Sequence, residues 1–360
     1  MNEIKMNEIK NKYQTQYKDY SKYIAIMIST DRGIFNEKSI VRSRMIQYAR
    51  LYKELHIIVF SKNKFELINI ADNSVIYSTN SFFRWNYVSD ACRIGRGIIK
   101  NIIAEDPILI TCQDPFETGL VGKCLADIRK NTELLIQIHT DLFSPYFADK
   151  CIGIKNACLN KIRLFISKRT LSQADIVRVV SEKIADSLIK RGFKENEIIV
   201  KPIEVNTDAI KNEKPSFNLR EKFPQYKKII LMVSRLESEK NIDGALKAFS
   251  IVNKENPELG LIIVGSGTLA PKLKKIAYNL NIRPQIAFLG WQTDLISYYK
   301  GCDIFLLTSW YEGYGMVLKE AWATGCRIVS TDVGIAREVG ARIVGHTPED
   351  IAEGLRESLR

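Results

Sequence analysis

Glu312 and Glu320 have seven residues between them and stand beside two glycines, Gly313 and Gly315, within the stretch 302–334. Taken singly, either glutamate reads as a solvated surface charge, the usual state of that residue. Their setting changes the reading. The run IFLL at 304–307 has the composition of a buried strand, and residues 316–324 read as a helix with Gly325 as its C-terminal cap. Strand, glycine-bearing loop and helix start make an anion site, because the first helical N–H groups lack partners and the helix dipole is positive there. Gly313 and Gly315 let the backbone approach a phosphate or a sugar with no Cβ in the way. A carboxylate beside such a site needs a role, and the vicinal hydroxyls of a sugar or ribose supply one, since an ionised carboxylate accepts two hydrogen bonds.

Two cations point the same way. Arg235 and Lys240 bracket the turn between a strand at 228–234 and a helix starting near residue 241, a spacing that suits a diphosphate. Paired surface cations are also common in a chain with 53 Lys and Arg residues. His139 ends the strand 134–138, at the carboxyl edge where α/β sheets bind ligands, although a lone histidine is more often structural. Gly265, Gly267 and Ala270 form a G-x-G-x-x-A pattern after a strand, which alone suggests a dinucleotide fingerprint. That fingerprint wants an acidic residue closing the next strand about 20 residues on. Here 285–290 reads QIAFLG and runs into Trp291, with Asp294 only later, so the fingerprint is weak.

The stretch EGYGMVLKEAWATGCRIVSTDVG, 312–334, resembles the E-x7-E signature of glycosyltransferase family 4, retaining enzymes with the GT-B fold. Val233-Ser234-Arg235-Leu236 followed by Lys240 resembles the V-G-R-L-x-x-x-K-G segment of the same family. The resemblance implies an α/β chain of two Rossmann-like, doubly wound domains facing a central cleft. It implies transfer of a sugar from a UDP- or GDP-linked donor to a polysaccharide or lipid-linked glycan, with retention and with no cofactor or metal. On this resemblance Arg235, Lys240 and the backbone of Gly313, Tyr314, Gly315, Met316, Val317 and Leu318 take the donor diphosphate. Glu320 takes the ribose diol, Glu312 the hydroxyls of the transferred sugar, and His139 lies against that sugar. Ser234, Gly265 and Gly267 border the nucleotide, and Leu289 and Trp291 flank its base. The family usually has two adjacent glycines after its first strand, where the acceptor and the transferred sugar meet, and here Gly33 alone stands for them on the donor side; the family's usual Asn-Gly-Val-Asp is replaced by a segment with Ile203-Glu204. Family members also continue through further helices, so with the sequence stopping at Arg360 the C-terminal helices are expected to be short or missing.

The elements that must position these residues fit about two domains in 360 residues. The expected divisions are a polar tail at 1–22, an acceptor domain at 23–211, a Pro-containing linker at 212–226 and a donor domain at 227–360. A strand, helix and strand over 23–60 open a parallel sheet. Aromatic residues crowd 74–87 (Tyr77, Phe82, Phe83, Trp85, Tyr87) and are expected in the packing core, with a sugar- or lipid-binding face as the alternative.

No apolar run reaches the 18 residues of a membrane span, and the polar, lysine-rich start lacks a secretory leader's apolar region. Seven cysteines, with no C-x2-C pair, read as reduced thiols of a cytoplasmic protein rather than disulfides or zinc ligands. A net charge of +12 calls for an anionic partner. No nucleic-acid motif is present, which leaves an anionic membrane surface, with peripheral attachment at its inner face. The basic, partly amphipathic stretch 150–173 is the candidate contact, or else a solvated helix face. Three other functions fit the same residues: a GT-B epimerase or phosphorylase, a non-catalytic sugar-nucleotide binder and, on Gly265, Gly267 and Ala270, an NAD-dependent oxidoreductase.

Overall fold

The computed structural model describes residues 18–360, so residues 1–17 of the expected tail lie outside the description, as does the side chain of Cys151. Contacts divide the chain into two units. One comprises residues up to His139 with 160–201; the other comprises 140–159 with 202–360.

In chain order the first half carries β1 (Ile24–Ser29), α1 (Ile40–Ala49), β2 (Glu54–Val59), β3 (Ile68–Ala71), β4 (Ser74–Ser78), α2 (Tyr87–Asn101), β5 (Ile108–Cys112), α3 (Glu117–Ala126), β6 (Thr132–Ile138), α4 (Ile154–Leu171), β7 (Ile176–Val179), α5 (Glu182–Ile189) and β8 (Ile198–Val200). The strands form one sheet in the order β3-β4-β2-β1-β5-β6-β7-β8. Only β3 runs antiparallel to its neighbour. Strands such as ILITC at β5 are buried along their whole length, as a parallel strand covered on both faces must be. From β1 the chain goes first to β2 on one side and later to β5 on the other, so the sheet has its switch point between β1 and β5.

The second half carries α6 (Thr207–Asn212), α7 (Leu219–Lys222), β9 (Lys228–Val233), α8 (Ile242–Glu255), β10 (Leu259–Val264), α9 (Ala270–Asn279), β11 (Ile286–Gly290), α10 (Ile296–Gly301), β12 (Ile304–Leu307), α11 (Met316–Ala323), β13 (Arg327–Thr331), β14 (Arg342–Val344) and α12 (Pro348–Leu359). Its sheet is parallel throughout, in the order β11-β10-β9-β12-β13-β14. Ile230, Leu261, Ile263, Ile304 and Leu306 meet Leu246, Phe249, Ile351 and Leu355 from the covering helices in one apolar core. Here the switch point lies between β9 and β12.

Two sequence expectations change. The 212–226 stretch is packed rather than loose: Leu219 is buried, the Ser216 N–H donates to Ser297 Oγ (2.8 Å), and Arg220 pairs with Asp303 (3.0 Å). Among the clustered aromatics Tyr87 is buried against Phe60, but Phe82 and Trp85 are 79% and 77% exposed and Phe83 is exposed as well. The reason is local, since buried, hydrogen-bonded Thr79 and Ser81 anchor the loop and turn the rings outward.

The candidate membrane stretch forms α4, with an apolar stripe on its exposed face. It buries Ala157, Asn160, Ser167, Thr170 and Leu171 and exposes Ile154, Leu159, Ile162 and Phe165.

Candidate functional site

In the second unit the loops leaving β9, β10 and β12 are tied together at the carboxyl edge. The Leu236 N–H donates to the Ser266 carbonyl (2.9 Å), and the Leu269 N–H donates back to the Leu236 carbonyl (3.0 Å). This close approach accounts for both glycines of the G-x-G pattern. Gly265 has φ +131, and a Cβ there would stand 1.9 Å from the Ser234 carbonyl oxygen; at Gly267 it would stand 2.4 Å from that of Leu236. Glu237 accepts both the N–H (2.8 Å) and the hydroxyl (2.7 Å) of Thr268, which holds its carboxyl below the usual range. The Ser234 hydroxyl is buried and has no hydrogen-bond partner.

Across the switch point, Lys240 Nζ donates to Glu312 Oε1 at 2.5 Å, and Ser309 Oγ donates to the same oxygen at 2.8 Å. The pair is largely shielded, the two side chains being only 12% and 14% exposed. Backbone contacts fix it in place. Thr308 Oγ1 donates to the Lys240 carbonyl (2.9 Å), and the Trp310 N–H donates to the Glu239 carbonyl (2.8 Å). Arg235 is exposed and pairs with Glu239 at 2.7 Å, so the two candidate cations serve different carboxylates.

Glu320 lies on α11, where Tyr299 Oη donates to its Oε2 at 2.8 Å. Tyr299 is buried, and burial together with the Glu320 charge keeps its phenol protonated, its pKa well above the usual value. The glycines of this unit have clear roles. Gly315 caps α11 with φ +82, and a Cβ on Gly334 would meet the Tyr314 carbonyl at 2.3 Å. Tyr314 is buried, its phenol pushed up to about 12, and its carbonyl accepts the Ile335 N–H at 3.0 Å. The Leu318 side chain is fully buried and its N–H is bonded to the Gly315 carbonyl (2.9 Å), whereas Met316 is exposed. Gly313 is buried and Val317 and Leu289 half-buried, while Trp291 is 72% exposed. Trp310 stacks on His346, with ring centroids 4.7 Å apart.

The first unit holds the remaining two candidates. His139 Nε2 meets Gln137 Oε1 at 3.0 Å, an oxygen that also accepts from Arg178 (3.2 Å). Although the ring keeps an exposed face, the protein packed around it and the cations Arg178 and Arg44 hold its pKa at about 4. The imidazole is therefore neutral at pH 7, carries its proton on Nε2, and leaves Nδ1 as an acceptor. The Gly33 N–H donates to Asp31 Oδ1 (3.0 Å) just beyond β1. At the same switch point Gln113 Oε1 accepts from Ser29 Oγ (3.0 Å) and the Thr30 N–H (2.7 Å).

Sequence reasoning missed Glu239, Ser309, Tyr299 and Gln113. None belongs to a motif: Tyr299 and Gln113 act through partners far along the chain, while Glu239 and Ser309 lie four and three residues from Arg235 and Glu312. No cluster of His, Cys, Asp and Glu suited to a metal occurs among the described residues.

Residues 214–359 match the family model described as Glycosyl transferases group 1. That stretch contains every candidate residue of the second unit. The chain is 30% identical to the alpha-monoglucosyldiacylglycerol synthase of Streptococcus pneumoniae, over 62% of this chain and 51% of that protein. It is 25% identical, over 64% of this chain and 65% of the relative, to a Campylobacter jejuni protein, N-acetylgalactosamine-N,N'-diacetylbacillosaminyl-diphospho-undecaprenol 4-alpha-N-acetylgalactosaminyltransferase. The chain thus spans about half to two thirds of the length of these curated relatives. Sucrose-phosphate synthase from Thermosynechococcus elongatus superposes with a TM-score of 0.70 at 18% identity, covering 93% of this chain and 90% of that one. The two parallel-sheet α/β units are those of the GT-B fold.

Proposed function

We propose that this chain is a retaining glycosyltransferase of family 4. It moves a sugar from a UDP- or GDP-linked donor to a glycan or lipid-linked acceptor at the cytoplasmic face of an anionic membrane. The observation that carries the reading is the shielded Lys240–Glu312 pair at the β9/β12 switch point, where α/β sheets take their ligands. With donor bound, Lys240 and Arg235 offset the charge that develops on the departing diphosphate, the kind of preorganised stabilisation that dominates many enzymes. Glu312 accepts from hydroxyls of the transferred sugar, and Glu320, steadied by Tyr299, accepts from the ribose diol. In the first unit, neutral His139 offers Nδ1 as an acceptor for a hydroxyl at the edge of its own sheet.

In the reaction the bond from the anomeric carbon to the phosphate oxygen breaks, and a bond to the acceptor oxygen forms on the same face. The acceptor proton leaves with the diphosphate, so no separate base is required. Similarity to two relatives whose names carry diacylglycerol and diphospho-undecaprenol supports a lipid-linked acceptor. The membrane part rests on α4, whose exposed Ile154, Ile162 and Phe165 are flanked by exposed Lys155, Lys161, Lys168 and Arg169.

The test is to supply α-linked UDP- and GDP-sugars with lipid-linked and glycan acceptors and follow the anomeric proton by NMR. Expected are release of nucleoside diphosphate and an α-linked product. A β-linked product would overturn retention. Conversion of the donor without acceptor, or only with free phosphate, would replace the transferase with an epimerase or phosphorylase.

A further inference from the structure

We propose that Cys302 and Cys326 form a modification site, a thiol pair that closes reversibly to a disulfide across the base of the unit carrying Glu312 and Glu320. Both are free thiols, and their Sγ atoms lie 3.0 Å apart. They are 24 residues apart in sequence, so no spacing motif announces them. The sheet brings them together. β12 and β13 are parallel neighbours with Ile304 opposite Arg327, which places the two cysteines just ahead of adjacent strand starts. Strand pairing already fixes this backbone, so closure needs side-chain rotation rather than backbone movement.

Between the two thiols run β12, the loop with Glu312, Gly313 and Gly315, and the helix with Glu320, so the excursion carries most of the β12 side of the candidate donor site. Cys302 also donates to the Tyr299 carbonyl at 3.3 Å, and Tyr299 is the residue that holds Glu320. Neither cysteine is fully buried. The Cys302 thiol is held protonated by its hydrogen bond to Cys326 and by burial, and Cys326 stands between exposed Gly325 and Arg327, so an oxidant reaches Cys326 first.

With glutathione disulfide as oxidant, Cys326 loses its proton to solvent, attacks one glutathione sulfur and expels a glutathione thiolate. Cys302 then gives up its proton, attacks the Cys326 sulfur of the mixed disulfide and expels the second glutathione. Two cysteine thiols are oxidised, one glutathione disulfide is reduced to two thiols, and the protons balance. A disulfide of this kind in a reducing compartment is transient and redox-responsive rather than structural. It closes the excursion covalently and restricts the unfolded chain, which stabilises the fold.

The experiment treats the full chain with glutathione disulfide, blocks free thiols by alkylation, digests with trypsin and reads peptides by mass spectrometry. The expected product is peptide 301–319 linked to peptide 320–327, released by dithiothreitol. It should accompany a rise in Tm of several degrees, absent in Cys326→Ser and kept in Cys92→Ser. The proposal is overturned if both peptides are recovered unlinked, or only as separate glutathione adducts, in samples where exposed Cys158 has reacted. A link confined to Cys92 and Cys124, which also hydrogen-bond each other, overturns it too. The readout needs no sugar nucleotide, so it stands or falls apart from the proposed transferase activity.

Discussion

Lys240 is a cation to which the fold has already given a partner, and that determines how its substitution should be read. Removing one member of a shielded pair leaves the other charge unpaired and costs about 3–5 kcal/mol. Lys240→Met is therefore predicted to lower stability by roughly that amount, measured by denaturant unfolding, and to cut turnover. Adding Glu312→Gln removes the stranded charge and should return most of the stability while turnover stays low. Full recovery of turnover in the double variant would show that Lys240 only holds the loop. Arg235, Lys240, Glu312 and Glu320 could be proposed from the sequence because each follows a strand end or sits on the helix that the glycine loop opens. Their partners were not legible. Tyr299 sits 21 residues before Glu320, so only tertiary packing joins it to the site, and Ser309, three residues before Glu312 in the same loop, carries no motif of its own.

Among the elements, β9, β10, β12 and α11 followed from apolar runs and glycine punctuation, as did the left-handed Gly325 that ends α11. Pattern failed where burial depends on context. The aromatic loop after β4 points outward because its hydroxyl residues are the anchors. In α4 the sequence shows two faces but cannot say which one turns inward, and the inward face is the one with Asn160, Ser167 and Thr170. An exposed stripe of Ile154, Ile162 and Phe165 edged with lysines fits an anionic bilayer, where apolar insertion and charge attraction add. The chain is predicted to co-sediment with vesicles of 30% phosphatidylglycerol in phosphatidylcholine, not with pure phosphatidylcholine, and to release as salt rises (the composition is chosen at about the charge density of anionic leaflets). Ile162→Glu with Phe165→Glu should weaken that binding about tenfold or more. Unchanged binding in the double variant would remove α4 as the contact, and a dimer without vesicles that the same variant abolishes would make a second copy the occupant.

At the scale of the whole molecule, alternating strands and helices made the two-unit α/β architecture readable, because each βαβ crossover forces a parallel neighbour. The unit boundaries were less readable. Residues 140–159 and 202–226 join the second unit through contacts made far along the chain, which composition does not encode. Each sheet has one switch point, and the second gathers Arg235, Lys240 and Glu312 from the loops after β9 and β12, with Glu320 following on α11. The central claim is that this edge holds a nucleoside diphosphate sugar with Glu320 on its ribose. Calorimetric titration of UDP, GDP and NADH into the wild-type chain and Glu320→Ala tests it most directly. One nucleoside diphosphate is predicted to bind, and Glu320→Ala to weaken it about ten- to a hundredfold, the loss of hydrogen bonds to a charged acceptor. Equal affinity in both proteins, or binding of NADH alone, would contradict the account.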